Sequence, residues 1–264
     1  MFEHSLPELE TLLNKAHIYY NQPAFIAADP ISVPHMFKKS ADIEIAGLFA
    51  AIFAWGQRPT IIAKSKELLA RMDNDPADFV RNHGEKDLQR LLGFVHRTFN
   101  DTDLLYLLDF LKRHYQKYDS LEDAFLLVEP AETNPDRRAF QRLAHFHELV
   151  FGAAYAPERT RKHIASPARG SSCKRLNMYL RWMVRQDDRG VDFGLWKRIS
   201  PSELIMPMDL HVQRVGTRLG LMTEERSDWK AAIRLTEKLR AFDPADPVKY
   251  DFALFGMGVL EKEW

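Results

Sequence analysis

Apolar residues recur at spacings of three and four through almost the whole chain, and no segment alternates apolar with polar residues over a convincing length. The first period turns one face of an α-helix toward a core, whereas a half-buried strand needs a period of two. The sequence therefore predicts an all-α fold. After Pro7, the residues Leu9, Leu12, Leu13, Ala16 and Tyr20 share one side of a first helix. Ile43 to Trp55 is apolar on most sides and reads as a buried helix, and Pro59 opens another that carries Ile61, Ile62, Leu68 and Leu69. Short polar residues that accept from free backbone N–H groups, and prolines tolerated in a first turn, mark further starts. Asp75-Pro76 and Asn134-Pro135 have that form, Ser120 with Asp123 resembles a capping box, and Thr102 or Asp101 is placed to open an amphipathic helix over Leu104–Tyr115.

The apolar run 43–55 contains Glu44 and is shorter than the roughly 20 residues of a membrane span. The first residues lack a basic region followed by an apolar one, so a cytoplasmic protein with no membrane partner is expected. Cys173 is the single cysteine, which excludes an internal disulfide and any cluster held by several thiolates. His145 and His147 point to different sides of a helix, and the ten histidines form no metal signature.

Lys and Arg number 37 and Asp and Glu number 37, so net charge says nothing of a nucleic-acid partner. Its distribution is less even. From Arg159 to Arg185 the chain carries Arg159, Arg161, Lys162, Arg169, Lys174, Arg175, Arg181 and Arg185 and no acid. Such a stretch is either a phosphate-binding patch or a solvated loop, and charge alone does not choose. Gly, Ala, Pro and Ser punctuate 152–172, which predicts a loop leading into a central helix over Cys173–Arg185.

Lys174 falls in the first turn of that helix, where the partial positive charge of the helix terminus tends to lower an amine pKa. A neutral amine suits imine formation, while the plainer uses of such a lysine are to reach solvent or to hold a phosphate. Asp209 is placed to cap the next helix, whose buried face runs Val212, Val215 and Leu219. Capping alone would account for it, yet a capping aspartate keeps one oxygen free and oriented for stabilising charge.

Gly170-Ser171-Ser172-Cys173-Lys174-Arg175-Leu176-Asn177 resembles the G-V-G-x-K-T-A-N run of helix-hairpin-helix DNA glycosylases, with Ser172 where the second glycine stands. Met208-Asp209-Leu210-His211-Val212-Gln213-Arg214-Val215 is similar to that family's V-D-x-H-V-x-R-V run, and Phe53-Ala54-Trp55-Gly56-Gln57-Arg58-Pro59-Thr60 to its L-S-x-Q-x-T turn. The resemblance implies a two-lobed helical glycosylase fold with a helix-hairpin-helix-like element, lobe one over 45–185 and lobe two over 1–44 with 186–264. Lys174 would be the nucleophile and Asp209 its catalytic partner, on opposite walls of a cleft. Trp55 and Gln57 would face the DNA, with Gln57 filling the gap left by a flipped base. The long chain between Lys174 and Asp209, with Gln186 to Met206 read as an insertion, resembles the archaeal oxidised-guanine glycosylase branch. By that likeness Asp251 and Phe255 would hold the base, Met178 would pack against it, and His211 would support Asp209. Arg159, Arg161, Lys162, Arg169, Ser171, Ser172 and Arg175 would contact the backbone of double-stranded DNA. No cofactor is implied beyond a monovalent cation that such a hairpin can hold, and the expected state is a monomer. A non-catalytic nucleic-acid-binding module and a helical protein-interaction scaffold remain the rival readings.

Overall fold

The computed structural model describes residues 5–126, 132–223 and 226–260. The fold is all-α. In chain order the described α-helices are α1 Leu6–Tyr20, α2 Pro23–Ile26, α3 Ser40–Phe53, α4 Arg58–Arg71, α5 Pro76–Asn82, α6 Glu85–Gln89, α7 Asp101–Tyr115, α8 Pro135–Val150, α9 Lys174–Val184, α10 Leu210–Arg218, α11 Trp229–Arg240 and α12 Asp251–Leu260. Between α6 and α7, β1 Val95–His96 and β2 Phe99–Asn100 form an antiparallel hairpin too short to leave a period in the sequence. None of the described helices is long and apolar enough to cross a membrane.

The chain divides into two compact units. Unit one takes the described residues within Met1–Phe25, Val128–Leu143 and Ser166–Trp264, and unit two those within Ile26–Leu127 and Ala144–Ala165. This corrects the expected lobes of 45–185 against 1–44 with 186–264, because α9 belongs with the C-terminal helices. The reason lies in packing: Tyr179 of α9 meets Trp196 edge-on at 5.3 Å, and Arg181 bonds Asp251 of α12.

Unit two is organised by α3, which is buried from Asp42 to Phe53. Phe53 stacks on Phe94 at 5.5 Å and meets Phe99 edge-on at 5.0 Å, so the hairpin is bound to α3 through rings that each stabilise by roughly 1.5–3 kcal/mol when buried. The acid inside this apolar helix is satisfied: Glu44 accepts from Tyr115 at 2.7 Å, from the Leu121 N–H at 2.9 Å and from Ser120.

In unit one α12 lies against α1 and α10 through glycines. A Cβ on Gly256 would stand 2.3 Å from the Tyr20 ring, and one on Gly258 2.9 Å from the His211 Cβ. The stretch 186–206 has no α-helix and folds back on α9. Phe193 N–H donates to the Trp182 carbonyl at 2.8 Å and Trp196 N–H to that of Met183 at 2.9 Å, which occupies acceptors a helix end leaves open.

Candidate active site

The chain enters α9 through a tight turn rather than a second helix. Pro167–Arg169 is a short 3-10 turn, Gly170 (φ 78°) and Cys173 (φ 52°) are left-handed, and Cys173 N–H donates to the Ser171 hydroxyl at 3.1 Å. Asn177 donates to the Ser172 carbonyl at 2.9 Å, and Trp229 N–H to that of Gly170 at 3.3 Å. Between α8 and α9 the chain forms 3-10 turns over Glu158–His163 and Pro167–Arg169 and no α-helix, so no first α-helix of the expected helix-hairpin-helix-like element stands directly before this turn. The turn is fixed on both sides, so the first residue of α9, Lys174, leaves a rigid support.

Asp209 is the N-cap of α10. Its Oδ1 accepts from the N–H groups of His211 and Val212, both at 2.9 Å, while Oδ2 faces Lys174 Nζ at 4.0 Å. That separation is too long for a hydrogen bond. Side-chain exposures of 27% and 18% leave both groups reachable from solvent. Lys174 and Asp209, expected on opposite lobes, lie in the same unit.

The pocket residues expected around them are also in unit one. Met178 is buried on α9 one turn after Lys174. His211 bonds the Gly258 carbonyl through Nδ1 at 2.9 Å, and its ring meets Phe255 edge-on at 6.0 Å. A carbonyl only accepts, so Nδ1 is the donor in this bond. Asp251 is buried and bonded to Arg181. Burial raises its pKa to about 6, opposed by the Arg181 cation and reinforced by the Asp209 charge.

Arg181 and Arg185 differ most from expectation. The sequence places them in the basic stretch, but both are buried in an ion-pair network. Arg181 bonds Asp192 at 3.2 Å as well as Asp251. Arg185 bonds Asp192 at 2.7 Å, Asp246 at 2.8 Å and Asp187 at 2.9 Å. All four acids lie beyond the acid-free stretch: Asp187 and Asp192 follow α9 closely, while Asp246 after α11 and Asp251 at the start of α12 are far along the chain and were not legible as partners. The one available signal was Arg at 181 and 185, a single turn apart where the residues 178–184 are otherwise apolar.

The remaining basic residues divide by unit. In unit two Arg159 pairs at 2.7 Å with buried Asp103, and Arg161 pairs at 2.8 Å with Glu158 while lying over Phe151. Burial pushes Asp103 up, but hydrogen bonds led by those from His163 and the Asn100 N–H outweigh it and leave the carboxyl below its ordinary value. Lys162 is exposed in the same unit. In unit one Arg169 is exposed without an ion pair among the described residues, Ser171 and Arg175 are half-buried and Ser172 is buried. Trp55 and Gln57 are in unit two. Gln57 is the exposed N-cap of α4 and makes no capping bond with its side chain.

Cys173, beside Lys174, is buried, and burial pushes its pKa up to about 12, which favours the thiol form. The described residues contain no cluster of His, Cys, Asp and Glu able to hold a metal ion.

A family model described as "Protein of unknown function (DUF2400)" matches residues 29–260. The chain belongs to the DUF2400 family. The match takes in Lys174, Asp209 and the Arg181–Arg185 network of this DUF2400 chain. No curated protein and no solved structure matches it.

Proposed function

We propose that the protein is a DNA base-excision glycosylase with abasic-site lyase activity, in which Lys174 attacks the sugar and Asp209 stabilises the charge that develops there. The observation that carries this reading is the Lys174–Asp209 pair at 4.0 Å, built from the first residue of one helix and the cap of another. One Asp209 oxygen is held by two backbone N–H groups, and the other is left toward the amine. A carboxylate fixed in this way suits an oxocarbenium-like sugar, because it need not reorganise as charge appears.

In this mechanism the neutral Lys174 amine forms a bond to C1′ of a flipped nucleotide. The glycosidic bond breaks, with its electron pair leaving on the base. Loss of the proton from the new C1′ ammonium and opening of the sugar ring give an imine. Removal of a C2′ proton then expels the 3′ phosphate and nicks the strand. Oxidised guanine is the proposed base, on the resemblance of the long Lys174–Asp209 spacing and the Asp251/Phe255 offset. Asp251 would serve the pocket while bonded to Arg181.

The test is a set of duplexes carrying single lesions or an abasic site, each incubated with and without borohydride. A reducible covalent adduct on at least one of them is expected, with oxidised guanine first among the lesions. Duplex binding without any adduct would assign the protein to the non-catalytic binding class instead.

A further inference from the structure

Unit two presents a cation that lies outside the basic stretch. The β1–β2 hairpin turns through Arg97 and Thr98, and Arg97 has φ 56°, a left-handed conformation uncommon for a residue with a long side chain. Its guanidinium carbon sits 4.6 Å from the centre of the Trp55 ring. Beside it Gly56 has φ 113°, and a Cβ there would stand 2.7 Å from Arg97 Nη1, so the glycine leaves the space that the guanidinium occupies.

Arg97 is exposed and makes no hydrogen bond or ion pair among the described residues. A cation–π contact engages the face of a guanidinium and leaves its N–H donors without a hydrogen-bond acceptor. A guanidinium that is charged, exposed and uncompensated offers donors suited to phosphate oxygens. Arg159 and Arg161 contrast with it in the same unit, since carboxylates already take their donors. His96, next along the hairpin, is turned inward to the Phe53 carbonyl at 3.0 Å and is held neutral by burial, so it adds no acid or base to the surface.

We propose that Arg97, held over the Trp55 ring at the hairpin tip, contacts the phosphodiester backbone of duplex DNA, a site that rests on the DNA-repair reading above. Its place on a strained turn holds the guanidinium against the ring, and Gly56 admits it.

The experiment is an anisotropy titration of a lesion-free duplex across a range of salt with the unaltered protein, Arg97→Gln and Arg97→Gly. Each variant should weaken binding several-fold at low salt and lower the slope of log K against log salt by about one, the share of a single phosphate. Arg97→Gly suits the left-handed backbone, so its melting temperature should not fall, which separates lost contact from lost fold. If both variants keep the slope of the unaltered protein, the contact is overturned while the repair reading stands. If the unaltered protein binds no duplex at low salt, the repair reading falls and the contact with it.

Discussion

At the start of α9, Lys174 stands 4.0 Å from Asp209 with both side chains partly open to solvent, whereas two and three turns along, Arg181 and Arg185 are sealed among Asp192, Asp246, Asp251 and Asp187 at hydrogen-bond distance. One helix thus carries a loose cation at one end and locked cations at the other. The residue types fit the division. A guanidinium stays charged and offers a fixed fork, which suits a permanent joint, while an ammonium on a flexible stem can give up its proton and change partner. Buried pairs of the first kind resist the removal of either member, because the partner is left as an uncompensated charge. A pair of the second kind adds little to stability and is available for chemistry.

The comparison predicts opposite outcomes for two aspartates. Asp192 is fully buried and serves both arginines, so Asp192→Ala should destabilise by about 3–5 kcal/mol in denaturant unfolding. Unchanged stability would mean that the network is not what fixes α9. Asp209→Asn should leave the unfolding midpoint nearly in place, since asparagine also caps a helix, but lower adduct formation on the order of 100-fold or more. Equal losses of midpoint and adduct would make Asp209 a structural cap only.

Asp251 joins the two regions, because it bonds Arg181 and also feels the charges of Asp209 and Lys174. Its folded pKa of about 6 lies above the ordinary carboxyl value, so the folded state holds the proton more tightly. The stability it contributes is therefore full below about pH 4 and is lost as pH rises through about 6. Relative to Asp251→Asn, the unaltered protein should lose roughly 2–3 kcal/mol across that interval. A pH-independent difference between the two would place Asp251 in a more polar setting than its burial indicates.

The helical core and the helix-start positions of Lys174 and Asp209 were legible in the sequence for local reasons, while their pairing came only from the resemblance of their runs. Period marks the buried faces, and capping chemistry places Asp209 at a helix start with one oxygen committed. The locked end was not legible as a network, because two of its acids, Asp246 and Asp251, are brought to α9 only by the fold. The same cause explains Arg159: its partner Asp103 is on α7, so an acid-free stretch of sequence proved not to be an acid-free surface. The start of α7 was misplaced by a residue or two, since its cap is Asn100, whose Oδ1 accepts from Asp103 N–H at 3.4 Å, rather than Asp101 or Thr102. Arg97 escaped notice because a hairpin of two-residue strands shows no alternation, and its place over the Trp55 ring is a long-range contact.

Mapping the covalent link would show whether the loose cation, Lys174, is the nucleophile. Protein trapped by borohydride on an abasic duplex would be digested, and the modified residue located by mass spectrometry, in parallel with Lys174→Gln. The account predicts that the adduct maps to Lys174 and that the variant forms none while still binding the duplex. An adduct on another lysine, or one that persists in Lys174→Gln, would contradict it.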